Sequence, residues 1–485
     1  MHNITHPTND PLLVSYHRPE LLELGPSLEL ALDCWNLLDT GGRGNAKGKY
    51  LRRELAEPAA IYKERLHRST YTPIYRDSIR SYAGLLNRFN LNEPPASLDA
   101  NQQNVDLIGS SVQMFWNRCD ERALRDGGVY VMVDMPAGDE GNFFDQQNDG
   151  RVPYWIQIDR KDVINWTVEY SNGREIVHHA TVRQLRSVPE PRGFGTKIEP
   201  IYYVLKPGTV EKYRMDKKDG KWYQVLEGSA QTSLPIVPLV WYGATSNRFA
   251  QGDMPMNGLA ELSIQHFQMR SDLQELIHKL SMPVAVRKGA QMGSDGRPEP
   301  FVAGPNTAMD LPGDGADFYF AEPGGKSLER HQSEIQHVEE LMDRSGLNFL
   351  YGANVKTATE ASLRASQVAS QVAALIRNKV SSFANAMRLW AAYSGELASL
   401  TMQSGISIND SLINRPLDPS GIAQLVNLFN SGLLARETVL HELQRGGVLD
   451  PDLDAIKEAE KASAELPTVE DVNSEPATEN PLANQ

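Results

Sequence analysis

The stretch GLAELSIQHFQMRSDLQELIHKLSMPVAVRK, residues 258–288, decides the interpretation of this chain. Its apolar residues recur at steps of three and four, the period of one face of an α-helix. They are Leu259, Leu262, Met269, Leu273, Leu276 and Leu280. We therefore predict a helix from about Gly258 to Leu280, roughly 33 Å long at about 1.5 Å per residue. A short strand at 284–287 is predicted to follow it.

Downstream, residues 282–326 are dense in Gly and Pro and contain a second predicted strand at 317–321. A second amphipathic helix is predicted at about 327–345. After a short loop, Thr357 and Glu360 fit a capping box, and the helix that follows is predicted to run to about Met402. It has few charges, which is typical of helices buried on more than one side, often between subunits.

The last part of the chain changes character. Short helices are predicted at 419–432, 435–446 and 451–464. Residues 465–485 are acidic, rich in Pro and Asn and without apolar periodicity, so we predict a disordered tail there.

Upstream, residues 1–18 are polar and predicted to form a flexible arm. Helices are predicted at 19–39, at 59–89 with a break at Pro73, and at 104–125, with a basic loop at 41–49. A buried strand is predicted at 129–133. Residues 153–243 read as one antiparallel β-rich module, with hairpin turns at Asn172-Gly173 and Asp219-Gly220. The predicted fold class is therefore α+β.

Composition excludes several classes of protein. The 485 residues include 48 Lys plus Arg against 62 Asp plus Glu, a formal charge of −14, so the chain does not coat nucleic acid by charge over its whole surface. Cys34 and Cys119 are its two cysteines. They form no disulfide framework and no zinc motif, and reduced thiols are expected. The sequence predicts neither a signal peptide nor a membrane span.

The sequence also lacks the motifs that are typical of nucleotide-binding, calcium-binding and hydrolase sites. Gly48-Lys49 is followed by Tyr50 rather than Ser or Thr, so the glycine-rich segment is not a nucleotide loop. An acidic segment starting at Asp145 has Ile156 where a calcium loop needs its bidentate acid. No GxSxG is present. We predict no catalytic residue, no metal site and no cofactor, and expect the protein not to be an enzyme.

Five segments in this order resemble the portal proteins of tailed bacteriophages, the head–tail connectors, and most closely a subgroup known only as a phage domain of unknown function. They are ELAEPAAIYKERLHRSTYTPIYRDSIRSYAGLLNRF (54–89), GGVYVMVDMP (127–136), PYWIQIDRKDVINW (153–166), LAELSIQHFQMRSDLQELIHKLSMPV (259–284) and TATEASLRASQVAS (357–370). The resemblance covers about residues 50–400.

The resemblance implies a portal-like architecture. Residues 19–255 would form a wing of helices followed by the β-rich module. Residues 256–281 and 327–345 would be the two stem helices, and 282–326 a small α/β clip between them. Residues 346–414 would hold the tunnel loop and a long helix beside the channel. Residues 415–464 would form a short helical crown.

The resemblance also implies a function. Portal proteins form a ring, usually a dodecamer, at one vertex of the capsid of the virion, after synthesis in the host cytoplasm. The ring is the channel for packaging and ejection of double-stranded DNA. The implied partners are copies of the chain itself, the DNA, the terminase, a head–tail adaptor and the major capsid protein; no membrane is involved.

Candidate site residues follow from the same resemblance. Asn348, Phe349, Tyr351, Lys356 and Arg364 fall in or next to the tunnel loop and would line the DNA channel. The alternatives are a solvated Lys356 and an ion pair for Arg364. In the clip, Arg287 and Lys288 would contact DNA or the adaptor, with solvated charge as the alternative.

Two other functions stay open at this point. One is a virion scaffold or structural protein without the stem–clip–stem order, which deletion of residues 285–325 would distinguish. The other is a hydrolase with a composite active site, which would require a concave pocket with convergent titratable groups.

Overall fold

The computed structural model describes residues 6–39, 46–136, 151–190, 194–280, 284–289, 315–321, 326–345, 358–408 and 419–445, together with residues 294, 448–449 and 457. Within these ranges the fold mixes helices and antiparallel sheets, which confirms the α+β class.

The helices and strands are largely grouped along the chain, with most of the strands between residues 128 and 243. The helices are α1 (Pro19–Trp35), α2 (Lys47–Tyr50), α3 (Ala59–Arg68), α4 (Ile74–Leu86), α5 (Ala96–Ala100), α6 (Val112–Asp126), α7 (Asn257–Leu280), α8 (Lys326–Ser345), α9 (Ala358–Tyr393), α10 (Pro419–Asn430) and α11 (Arg436–Arg445). The strands are β1 (Phe89–Asn92), β2 (Gly128–Asp134), β3 (Tyr154–Asp159), β4 (Val163–Ser171), β5 (Arg174–Pro189), β6 (Thr196–Lys206), β7 (Thr209–Lys218), β8 (Lys221–Gln231), β9 (Leu239–Gly243), β10 (Val284–Lys288), β11 (Asp317–Ala321) and β12 (Gly405–Ile408).

Residues 153–243 do not form the single module that the sequence predicts. Strands β4 to β8 make a five-stranded meander, but β3 and β9 leave it and flank β2 in a separate three-stranded sheet. The predicted turns are confirmed, because Asn172-Gly173 and Asp219-Gly220 have positive φ at both residues, as a type I′ hairpin requires.

The three-stranded sheet separates two apolar cores. Val129, Val131 and Val133 of β2 belong to a core shared with α6 and the second half of α9, while Tyr130 belongs to the core that β2 shares with the five-stranded sheet. Side chains alternate along a strand, so a strand buried on both faces must be apolar throughout. This explains the continuous apolar run at 129–133.

The N-terminal residues differ from the predicted flexible arm. Residues 6–18 pack on the five-stranded sheet, and Ser15 and His17 are buried there. The Arg18 N–H donates to the Ile164 carbonyl at 2.9 Å, which attaches this segment to β4. Apolar residues Leu13 and Val14 pack against the same core as α1. Burial of these few side chains orders the segment. The sequence does not indicate this burial, because the segment as a whole is polar.

Several predicted boundaries also differ from the structure. The long helix ends at Tyr393 rather than near Met402, because Gly395 adopts φ 73° and the Glu396 N–H bonds back to the Ala391 carbonyl, a Schellman-type stop. The third helix begins at Val112, capped by Ser111, rather than at 104. Part of the predicted basic loop 41–49 forms the short helix α2.

Several predictions fall outside the described residues. These are the loop at 346–357, most of the predicted helix at 451–464, and the acidic tail at 465–485.

Candidate functional site

The helix pair α7–α8 and the two-stranded ribbon β10–β11 form one continuous unit. The chain leaves through α7 into β10 and returns from β11 into α8. The strands pair antiparallel from Val284↔Ala321 to Lys288↔Asp317, and the helices pack on each other. His266 Nε2 lies 3.1 Å from Glu339 Oε1, and Asp272, further along α7, faces His331, which is earlier in α8, so the two helices run antiparallel. The predicted helix–strands–helix order is therefore confirmed.

The first part of α7 and the last part of α8 are buried in the helical core. Leu259, Ala260, Ile264 and Phe267 of α7 and Val338 and Met342 of α8 share one apolar cluster with residues of α1 and α4. Polar contacts add to the packing. Arg68 of α3 pairs with Glu275 at 2.6 Å, and Ser69 bonds Ser271 at 2.7 Å. The first two-thirds of α7 are thus fixed to the body of the protein.

The other end of the pair projects from this core. Beyond Leu273 and before Ile335, none of the described side chains of α7 and α8, residues 274–278 and 328–334, is buried. The helices continue for about 10 Å past their last buried residues at about 1.5 Å per residue. The ribbon β10–β11, which follows α7 and precedes α8 in the chain, is itself roughly 15 Å long at about 3.3 Å per strand residue.

The predicted clip residues lie on this ribbon. Arg287 pairs in backbone register with Phe318, and Lys288 pairs with Asp317 at the end of β10. Lys288 is exposed. The side chain of Arg287 lies outside the described part of the chain, so its contact remains a prediction.

The structure does not describe the side chains of the predicted channel residues. Asn348, Phe349, Tyr351 and Lys356 fall in residues that the structure does not describe. Arg364 lies in the second turn of α9, and its side chain is likewise outside the description. Their role as channel residues stays a prediction.

The second half of α9 owes its low charge to burial inside its own chain. Leu375, Phe383, Met387 and Trp390 pack into the apolar cores. The exposed positions include Arg377 and Arg388. For residues 373–393, contact with another subunit is therefore not needed to explain the composition.

A polar cluster is enclosed where α9 crosses α6. Lys379 Nζ donates to Asp120 Oδ2 at 2.6 Å and to the Leu86 carbonyl at 2.8 Å. The Tyr242 hydroxyl donates to Asp120 Oδ1 at 2.8 Å. Burial raises the pKa of Asp120, whereas Lys379 and Tyr242 lower it. Burial also raises the pKa of Tyr242, which therefore stays a proton donor.

The connection between β9 and α7, residues 244–256, is clamped from two sides. On one side, Asn378 of α9 donates to the Gly243 and Ala244 carbonyls, and Asn247 donates back to the Asn378 carbonyl. The Ser382 hydroxyl donates to the Trp241 carbonyl at 3.1 Å. The second half of α9 thus sets the path by which the chain enters α7.

Arg160 clamps the connection from the other side. Its guanidinium donates to the carbonyls of Asp126, Ala250 and Gly252, and lies 5.4 Å from the Trp241 ring centroid. Among the described residues no carboxylate accepts a hydrogen bond from it, and burial lowers the pKa of Arg160. The charge is satisfied by backbone dipoles, so the role of Arg160 is to fix the backbone.

The contacts of the 244–256 connection were not predicted from the sequence, although glycines occur where its backbone approaches other segments most closely. A Cβ on Gly243 would lie 1.9 Å from the Ser246 carbonyl oxygen, and one on Gly252 would lie 2.4 Å from the Gly127 carbonyl oxygen. Gly127 itself has φ 79°. Glycine allows backbone segments to approach this closely. Gly127 also forms the left-handed C-cap of α6.

The described residues contain no group of three or more His, Cys, Asp or Glu side chains that could hold a metal ion. Among the same residues, no helix is both long and apolar enough to cross a membrane.

Comparisons with known proteins give one family and several solved structures. Residues 255–394, from the start of α7 through α9, match a family described as Domain of unknown function (DUF4055). No curated protein matches the chain.

Three of the similar solved structures come from gene transfer agent particles. One is the virion of the native particle, with 14% identity, a TM-score of 0.41, and coverage of 77% of this chain and 89% of that chain. Two others are the neck of the empty particle computed with C6 symmetry (12% identity, TM-score 0.39, coverage 77% and 90%) and the neck of the native particle computed with C12 symmetry (13% identity, TM-score 0.38, coverage 77% and 89%).

Proposed function

We propose that this chain is the portal subunit of a tailed phage or phage-like particle. In this role, a closed ring of copies, twelve in the usual case, stands at a capsid vertex as the channel for double-stranded DNA. The observation that carries the proposal is the antiparallel pair α7–α8, rooted in the helical core and tipped by the β10–β11 ribbon. It matches the stem–clip–stem order that the sequence resemblance implies.

The exposed surface of the projecting unit supports contacts between subunits. Ile277 on α7 and Tyr319 on β11 are large apolar residues with 43% and 48% of their surface exposed. Around a ring, the projecting helices of one copy would pack on those of the next through heterologous contacts that close. This would bury the side chains that a single chain leaves in water.

The overall charge supports weak contact with DNA. A channel must hold its subunits firmly while the duplex slides, and strong pairing between basic residues and phosphates would slow the duplex. A formal charge of −14 favours weak contact. Transient contacts would fall to a few basic residues, with Lys356 and Arg364 as our candidates.

The proposal also assigns partners. The major capsid protein would surround the ring, the terminase would dock on it during filling, and a head–tail adaptor would bind the ribbon. The terminase would supply the energy of packaging, since no nucleotide loop is present in the sequence. We therefore expect the purified protein to have no ATPase activity.

The first experiment is mass photometry of the purified protein combined with negative-stain images. Twelve copies of a 53.9 kDa chain weigh about 650 kDa, and a closed ring would show a central hole. Particles no larger than a dimer at every concentration, with capsid protein present or absent, would contradict the proposal.

A deletion separates a portal from a scaffold protein. Replacing residues 285–325 by a short Gly-Ser linker removes the ribbon and leaves α7 and α8 connected. We expect an unchanged circular dichroism spectrum and melting temperature, with loss of ring closure or adaptor binding. As a matched control, residues 137–150 between the paired strands β2 and β3 can be replaced by Asn-Gly, which should leave the ring intact.

A further inference from the structure

The N-terminal residues 6–17 form a closed strap on one face of the five-stranded sheet. The strap bonds to itself near both ends, where the His17 N–H donates to the Thr8 carbonyl at 2.9 Å and the Ser15 hydroxyl donates to the Pro7 carbonyl at 2.6 Å. In the middle, the Asp10 carboxylate accepts the Leu12 N–H at 3.0 Å. These bonds give the strap a defined shape of its own.

The strap spans the sheet from one edge strand to the other. At β4, Arg18 donates its backbone N–H to the Ile164 carbonyl and its guanidinium to the Trp166 carbonyl. At β8, the Val14 N–H donates to the Gln224 side-chain oxygen at 2.7 Å. Between these points the strap covers Tyr202 of β6 and Met215 of β7. Opening the strap would expose this apolar face.

Two of its buried contacts are made by histidines. His6 is 8% exposed, its Nδ1 lies 2.8 Å from the Tyr202 hydroxyl, and its ring meets the Trp222 ring edge-on at 4.8 Å between centroids. His17 is also 8% exposed, and its Nδ1 donates to the Ser15 carbonyl at 2.9 Å. Both rings sit where a neutral imidazole fits, since neither has a bonded carboxylate.

The charged groups that face these histidines are themselves paired. Glu199 on β6 acts on His6 but bonds Lys197 at 2.8 Å, and Lys217 lies over the Trp222 ring that His6 contacts. His17 faces Arg183 on β5 and Asp162, which bond each other at 2.8 Å. A positive charge on either ring would therefore meet little net compensation.

We propose that residues 6–17 are a proton-sensitive strap, closed over the five-stranded sheet while His6 and His17 are neutral and opened when they take up protons. The proposal is independent of the portal role, because it rests only on contacts within one chain.

The direction of the effect follows from linkage. Burial lowers the pKa of both His6 and His17 below the ordinary value of 6.5. The open strap therefore binds more protons than the closed strap at acidic pH. Closure is fully favourable above about pH 6.5 and weakens as the pH falls through the lowered pKa values of the closed state. Consider a histidine with a pKa of about 6.5 in the open strap that stays neutral in the closed strap. At pH 5, each such histidine raises the ratio of open to closed strap about 30-fold.

Hydrogen exchange of the full-length protein, followed by mass spectrometry of peptides covering residues 6–18, tests the proposal. Rates at pH 7.5 and pH 5.0 are compared after correction for intrinsic exchange. We expect the strap amides of the wild type to lose at least tenfold of their protection at pH 5.0, while peptides from β2 keep theirs. Unchanged protection of residues 6–18 across this range would overturn the proposal.

Variants identify the groups that titrate. His6→Phe keeps a ring on Trp222, and His17→Gln keeps a donor for the Ser15 carbonyl. We expect the double variant to lose the pH response and each single variant to lose part of it. His178→Gln, on an exposed ring bonded to Glu169, is the matched control and should respond like the wild type. A full response in the double variant would assign the effect elsewhere, for example to His179 near Arg18, and refute the strap.

A direct titration covers the case in which the double variant opens at every pH. Exchange of the imidazole C2 hydrogen, measured by mass spectrometry on the wild type, reports the pKa of individual histidines. Values for His6 and His17 clearly below 6.5 support the proposal. Values of 6.5 or above would refute the proposal.

Discussion

Lys379 on α9 and Asp120 on α6 form an ion pair in which neither side chain is exposed to solvent. Their nitrogen and oxygen atoms are 2.6 Å apart, although the residues are separated by 259 positions in the sequence. Lys379 Nζ also lies 4.6 Å from the centroid of the Phe89 ring. Such a pair adds little net stability, but any packing of α9 that separates the partners leaves a buried charge uncompensated. The pair therefore specifies how α9 packs.

Replacing Lys379 alone should be severe. In Lys379→Met the Asp120 carboxylate keeps only the Tyr242 hydroxyl as partner, and we expect a loss of about 3–5 kcal/mol in the free energy of unfolding. Urea unfolding followed by fluorescence measures this loss.

A double variant tests whether the uncompensated charge on Asp120 causes the loss of stability in Lys379→Met. In Lys379→Met with Asp120→Asn, no buried charge remains and the amide oxygen can still accept from Tyr242, so at least half of the lost stability should return. Lys197→Met, which breaks an exposed pair with Glu199, should change stability by less than about 1 kcal/mol. A double variant no more stable than Lys379→Met would contradict the assignment.

The close backbone approach at Gly243 predicts a second sensitive position. In Gly243→Ala the new methyl group would lie 1.9 Å from the Ser246 carbonyl oxygen and 2.6 Å from Trp241 Nε1. The 244–256 connection would have to shift, at a cost of about 1–3 kcal/mol or more. Thermal unfolding checks this, with Gly84→Ala as the control.

Gly84 offers a matched contrast because it is an exposed position inside α4 with no atom within 4 Å of an added Cβ. Alanine there should stabilise the protein by about 0.5–1 kcal/mol, since it removes backbone freedom from the unfolded chain. Equal effects of the two substitutions would refute the steric argument at Gly243.

Both cysteines should be inert in the folded protein. Cys34 and Cys119 are buried. Burial raises the pKa of Cys34 to about 12 and that of Cys119 further. At pH 8 only about one Cys34 thiol in ten thousand would be a thiolate, the reactive form. We expect no reaction with Ellman's reagent before unfolding and two thiols per chain in guanidinium. Rapid labelling of the native protein would show that these sites open.

The proposed channel residues give a prediction about DNA. In the double variant Lys356→Ala with Arg364→Ala, ring mass should be unchanged because neither change removes apolar packing that we propose between subunits. DNA packaging in a reconstituted assay should fall severalfold, with the largest loss at low salt, because high salt already weakens the phosphate contacts that the wild type makes. Arg377→Ala, an exposed arginine on the described part of α9, is the control and should package normally.

Local patterns in the sequence were enough to predict many of the helices and strands. The helix from Gly258 to Leu280 is found as α7 from Asn257 to Leu280, and the two short strands at 284–287 and 317–321 are found paired as β10 and β11. The helix predicted to end at 125 ends at Asp126, with Gly127 as its left-handed cap. Each of these depends on periodicity or on glycine chemistry within a few residues, which the sequence carries directly.

Long-range partners were not predictable in this way. Nothing in a local pattern indicates that β3 and β9 pair with β2 rather than with β4 to β8. The polar composition of residues 1–18 predicts a flexible arm, yet His6 bonds Tyr202, 196 positions away, and Arg18 bonds the Trp166 carbonyl, 148 positions away. The end of α9 at Tyr393 depended on one glycine conformation at Gly395.

By itself, the sequence determined the α+β class, the order of helices and strands around residues 258–345, and the acidic balance, because these follow from periodicity, turn chemistry and composition. Only the tertiary structure decided that Lys379 meets Asp120, that Arg160 and Asn378 clamp the entry to α7, and that a histidine-bearing strap covers the sheet. A buried polar group is stable only when distant segments supply its partners, and those partners are fixed by the packing of the whole chain.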